Sequence, residues 1–134
     1  MDNRLIIPFL KELEVVDSSI DVNEAITRLR AEWNQVKAEL ENLFRNRDQK
    51  TTLHGMNKGI GLYIQFLFLS NDRQVHDLES FDTLVIKPVN LEERLGFIIN
   101  RPNLFHSYRQ LSELILEQEK LYAKKNIVKK RLSQ

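Results

Sequence analysis

The sequence predicts an all-α fold: a compact bundle of four main helices preceded by a short helical segment. Three observations carry this. Val22, Ile26, Leu29, Trp33, Val36, Leu40 and Leu43 alternate spacings of four and three without a break, as a helix with one apolar seam requires. Ile60–Leu69 is ten residues in which only Gly61 and Gln65 are not large and apolar, and a helix apolar on most sides is one buried on most sides. Alternation would allow a strand over 62–68, but neither parity is polar and the chain offers no second convincing strand to pair with it.

Residues 1–16 hold Leu5-Ile6-Ile7-Pro8-Phe9-Leu10, then Leu13 and Val15-Val16. Pro8 suits the first turn of a short helix, so this segment is expected to lie across the others as a lid. Asp21 and Glu24 form an Asp-x-x-Glu capping box, which starts the seam helix over about 22–47. Its roughly 26 residues would span ~39 Å. The seam reads first as a contact within the bundle and second as a homodimer interface through 22–43.

After a polar linker at 46–50, Thr51 or Thr52 is expected to cap a second helix over 53–69. Gly55, Gly59 and Gly61 on it each cost up to ~1 kcal/mol of helix propensity relative to alanine, which points to close approach by a neighbour. Gln65 is the odd residue of this apolar stretch, and a buried amide there would need a partner, expected from the 71–90 loop. Residues 73–90 are the least regular, with one short turn expected near 75–81 and an extended run into Pro88. Asn90-Leu-Glu-Glu93 reads as a second capping box, opening a helix over 91–100 with Leu91, Leu95 and Ile98 inward. The last helix is expected over 104–131, after Pro102 or from a Ser107-x-x-Gln110 box. Leu104, Tyr108, Leu111, Leu114 or Ile115, and Leu121 or Tyr122 form its apolar face, which Ile127 or Val128 and Leu132 extend.

At 134 residues, 42% hydrophobic and 29% charged, the chain fits one ordinary globular domain, 1–134. Without cysteine it has no disulfide, thiol or thiolate-metal chemistry. The start, Met-Asp-Asn-Arg-Leu-Ile-Ile-Pro, lacks a signal peptide's basic region and long apolar run. The Ile60–Leu69 run falls short of the roughly 18 apolar residues of a membrane span, so a cytoplasmic protein is expected.

The net charge of +1 is unevenly spread: residues 1–50 sum to −2, 51–102 to −1 and 103–134 to +4. Lys120, Lys124, Lys125, Lys129, Lys130 and Arg131 follow with no acid after Glu119. Such an end over 120–134, expected to project, is a candidate surface for a partner. It could meet phosphates, although a helix C-terminus favours cations for its own dipole.

Catalytic motifs are missing. There is no Gly-x-x-x-x-Gly-Lys-Ser/Thr loop, no complete dinucleotide fingerprint and no Gly-x-Ser-x-Gly elbow. None of His54, His76 and His106 has a glutamate three residues before it, the pairing a bundle metal site uses. No cofactor or metal is expected. Glu92 and Glu93 are adjacent on their helix and serve its first turn better than acid–base work. Gln65, Glu93, Arg94, Arg101 and Arg109 form a candidate polar cluster if the last two helices run antiparallel, with Glu93 or Glu113 as the expected partner of Arg94.

Lys58-Gly-Ile-Gly-Leu-Tyr-Ile-Gln-Phe-Leu-Phe-Leu-Ser-Asn71, Ile86-Lys-Pro-Val-Asn-Leu-Glu-Glu-Arg94 and His106-Ser-Tyr-Arg-Gln-Leu111 resemble the YpoC-like family of Bacillus-type bacteria over roughly residues 40–125. The resemblance implies a cytoplasmic bacterial protein and transfers no catalytic residue. The function expected is therefore a non-enzymatic interaction module that binds another protein or itself. Nucleic-acid binding through the basic end is the alternative, and an enzyme whose site is dispersed in the sequence is third.

Overall fold

The computed structural model describes residues 21–73 and 81–132, so the N-terminal segment expected over 1–16, most of the turn near 75–81 and His76 lie outside the described residues. Among the described residues there are four α-helices and no strand: α1 (Val22–Asn46), α2 (Gln49–Ser70), α3 (Leu91–Asn100) and α4 (Phe105–Leu132). A single 3-10 turn, Phe81–Thr83, lies between α2 and α3.

Asp21 caps α1 as expected, its carboxylate accepting from the Asn23 N–H at 2.8 Å. Glu24 does not complete the box. It pairs with Arg28 one turn on, at 3.2 Å. The helix ends at Arg47, whose backbone is left-handed (φ 56°), with the Asp48 N–H bonded back to the Leu43 carbonyl at 3.2 Å. Asp48 then caps α2, accepting from the Thr51 N–H at 3.2 Å. The second helix thus starts four residues before the expected Leu53, and the linker shrinks to Arg47-Asp48. Aspartate is the stronger cap, and Gln49 and Lys50 tolerate a helix well, so nothing delays the start until the threonines. Thr52, a proposed cap, is buried inside the helix.

This tight connection makes α1 and α2 an antiparallel hairpin. Its inner faces are fitted by two glycines. A Cβ on Gly59 would come within 2.9 Å of the Trp33 ring, and one on Gly55 within 2.9 Å of Leu40. Both glycines therefore act as notches that let α1 approach the α2 backbone. The seam residues Ile26, Trp33, Val36 and Leu40 are buried within the single chain, with Val22, Leu29 and Leu43 partly covered.

Helix α4 closes the bundle. A Cβ on Gly59 would also meet Leu111 at 3.1 Å, and Gln118 reaches Ser70, so α4 runs parallel to α2. Against α1 it runs antiparallel, with Tyr108 beside Glu41, Glu119 beside Arg30 and Tyr122 beside Asn23. The resulting core joins Trp33, Val36 and Leu40 to Met56, Ile60, Tyr63, Ile64, Leu67 and Phe68, and to Leu111, Leu114 and Ile115. Phe68 meets Phe81 with ring centroids 5.9 Å apart, which brings the 3-10 turn onto the core.

Helix α3 buries Leu91, Leu95 and Ile98 as their spacing predicts. The Asn90 box does not form. Asn90 is left-handed (φ 57°) and makes no side-chain cap bond, so the first turn relies on Glu92 and Glu93 to complement its dipole. Ser107 likewise does not start α4. It is buried in the first turn and donates its hydroxyl back to the Arg101 carbonyl at 2.6 Å, fastening the α3–α4 turn.

Candidate interaction site at the end of the last helix

The six cations expected at the end of α4 do not form one patch. At about 100° per residue, Lys120, Lys124 and Arg131 fall on the side facing away from the bundle, while Lys125 and Lys129 fall on the side that faces it. Lys125 is half-buried and its ammonium donates to Asp72 Oδ2 at 2.7 Å and to the Ser70 carbonyl at 2.8 Å. It thus sits on the C-terminus of α2, where the helix dipole favours a cation. Lys129 and Lys130, both exposed, rim a groove of about 490 Å³ floored by Asn23, Asp72, Tyr122 and Asn126. The Tyr122 hydroxyl donates across it to Asn23 Oδ1. The helix continues unbroken to Leu132, and Ile127, Val128 and Leu132 are exposed apolar residues among the cations.

Beneath this end lies a polar knot that sequence reasoning missed. Gln118 is fully buried and its Nε2 donates to Ser70 Oγ at 2.6 Å and to the Ile86 carbonyl at 3.2 Å. Asn71 holds both backbone groups of Ile86: its Nδ2 donates to the carbonyl and its Oδ1 accepts from the N–H, each at 2.8 Å. The same Nδ2 also satisfies the Leu67 carbonyl at 2.7 Å, an open acceptor in the last turn of α2. The irregular segment before Pro88 is thereby tied to α2 and α4 through one residue's backbone. Lys87 adds a bond from its ammonium to the Phe81 carbonyl at 2.9 Å.

The expected partner for a buried amide does come from the 71–90 loop, but the amide is Gln118 and not Gln65. Gln65 is only half-buried and makes no hydrogen bond to another described residue. It lies on the stripe of α2 that carries the exposed His54 and Lys58. The other members of the expected cluster are also dispersed. Arg94 pairs with Glu117 at 2.5 Å, not with Glu93 or Glu113, and bonds the Val89 carbonyl at 3.1 Å. Glu93, Arg101 and Arg109 are exposed and apart from that pair. Glu117 prevails because it stands on the turn of α4 that crosses the start of α3, a register that helix periodicity alone does not set.

At the opposite end, Phe44, Phe105 and Tyr108 stack in a triangle with centroids 5.6–5.7 Å apart. The Tyr108 hydroxyl donates to Glu41 Oε1 at 2.8 Å. Burial, together with that carboxylate, pushes the Tyr108 pKa up from 10.0 to about 12. Tyr63 is pushed up as well, by burial, and its hydroxyl has no hydrogen-bond partner among the described residues. Because the folded Tyr108 pKa lies above the unfolded value, its contribution is complete below pH 10 and is lost as pH rises through about 12. Denaturation midpoints measured from pH 8 upward are expected to fall in that window, and less steeply for Tyr108→Phe. Identical slopes would mean that the Glu41 bond plays no part.

Among the described residues, no three His, Asp or Glu side chains converge as a metal site requires, and no helix is long and apolar enough to cross a membrane. A family profile described as "YpoC-like protein" matches residues 23–130, from the first turn of α1 to the last turns of α4. An uncharacterised protein YpoC of Bacillus subtilis (strain 168) is 31% identical over 96 residues, which covers 69% of this chain and 58% of that relative's length. No solved structure matches.

Proposed function

The chain belongs to the YpoC-like family, and on that premise we propose that it is a non-enzymatic interaction module that binds another protein through the end of α4. One observation carries the reading. Val128 and Leu132, one turn apart on one side of α4, are 47% and 82% exposed on a helix whose Leu111, Leu114 and Ile115 lie in the core. Exposed apolar side chains that are contiguous and rimmed by charge mark interaction surfaces more often than isolated ones do. The knot at Ser70, Asn71, Gln118 and Lys125 holds the root of this helix end against α2, so a partner would meet a fixed platform.

A test is affinity capture from a bacterial lysate with the full chain as bait and the double substitution Val128→Ser, Leu132→Ser as control. A polypeptide retained by the chain and lost at least about tenfold with the control is the expected result. An identical pattern for both baits would remove the proposal. Nucleic-acid binding is a second reading, supported by Lys120, Lys124 and Arg131 on the outward side. It requires an oligonucleotide shift that weakens steeply between about 50 and 200 mM salt. No binding at the low-salt end would dismiss it.

A further inference from the structure

We propose that the end of α4 docks a single helix carrying acidic flanks, forming with it a short two-stranded coiled coil. This rests on the interaction-module reading and specifies the partner's chemistry. Leu111, Leu114, Gln118, Leu121, Lys125, Val128 and Leu132 follow spacings of three and four in strict alternation, the seam along which a second helix packs. The first three are fully buried, Leu121 and Lys125 are half-buried, and Val128 and Leu132 are largely exposed. The stripe that builds the core therefore runs off the body of the molecule. The reason is visible at Lys125. Its ammonium already touches the Ser70 carbonyl and Asp72, which end α2, so α2 stops there and cannot cover residues one and two turns further along.

Among three occupants from outside this chain, charge selects one. The residues flanking the free part of the seam are Tyr122, Lys124, Lys129 and Arg131. Residues 121–132 hold five cations and no acid. A second copy would bring two such ends together in either orientation, which like charges across a seam disfavour. A nucleic acid would match the cations but leave Val128 and Leu132 without apolar contacts. A helix with leucine or isoleucine on its seam and glutamate at the flanks satisfies both sets.

The experiment titrates the full chain into two fluorescein-labelled three-heptad peptides, identical on the seam and carrying glutamate or lysine at the flanks, and into a labelled single-stranded oligonucleotide. Binding of the acidic peptide at least tenfold tighter than the basic one is expected. Val128→Ser with Leu132→Ser should weaken it tenfold or more, Lys124→Gln with Lys129→Gln should weaken it and flatten its salt dependence, and Lys120→Gln, off the seam, should leave it unchanged. All these positions are exposed, and circular dichroism verifies that each variant folds. Equal binding of both peptides, indifference to the serine substitutions, or binding of the oligonucleotide alone would overturn the proposal. So would a dimer mass that the serine substitutions halve, because the occupant would then be a second copy. A chain that captures a protein through Val128 and Leu132 yet binds no acidic helix keeps the interaction-module reading and loses this one. A chain that does neither loses both.

Discussion

Replacing Phe68 by alanine should lower the unfolding free energy by about 3–5 kcal/mol, among the largest effects of any single substitution in the bundle. Phe68 has no exposed surface, lies inside the main apolar cluster and holds the Phe81 ring, so truncation opens a cavity and releases the 3-10 turn at once. The apolar pattern alone would place Phe66 at the same rank. In the structure Phe66 is 3% exposed but sits outside that cluster, edge-on to the half-exposed Tyr122 ring and beside a small gap lined by Leu29, Trp33 and Ile115. Its neighbours have room to relax, so Phe66→Ala should reach only the low end, about 3 kcal/mol. Urea denaturation of the two variants checks the order. A Phe68 loss below about 1 kcal/mol would mean that α2 is not the centre of the fold.

Gln118→Ala should cost about 2–3 kcal/mol, from two lost hydrogen bonds and the volume left behind. Gln118→Met should cost less than about 1 kcal/mol. Ser70 Oγ also donates to the Leu67 carbonyl and the Ile86 carbonyl also accepts from Asn71, so neither is orphaned when the amide goes. Gln118 Oε1 itself is buried without a partner among the described residues, a penalty that an apolar side chain of similar volume would relieve. By contrast Gln65→Ala should change stability by less than about 1 kcal/mol, because its side chain is partly in water. A Met cost equal to the Ala cost would show that the hydrogen bonds, not the volume, hold the knot.

Most of the architecture was legible in the chain. The alternation from Val22 to Leu43, the continuous run at Ile60–Leu69 and the inward set Leu91, Leu95 and Ile98 each fixed an element, because burying apolar side chains at helical spacing leaves few options. Boundaries were less legible where several polar residues compete as caps. Asp48 outcompetes Thr51 and Thr52, while Asn90 caps with its backbone left-handed and its side chain elsewhere. The candidate polar site was the least legible. Gln65 stands out by eye in a greasy run, yet its stripe with His54 and Lys58 marks it as the solvent side. Gln118 hides in a charged stretch, though the spacing from Leu111 and Leu114 places it on the seam.

By itself, then, the sequence determined that this protein is helical, which apolar stripes of α1 and α3 face inward, and that its last segment is basic. Those properties follow from side-chain chemistry and a fixed helical period, and both are local. Only the tertiary structure decided that α4 lies parallel to α2 and antiparallel to α1. It alone decided that Glu117 takes Arg94 and that Lys125 turns inward to Asp72 while its neighbours stay outside. Such pairings depend on how far one helix slides along another. The stopping point of α2 at Ser70 sets that slide, and with it the length of α4 that is left exposed.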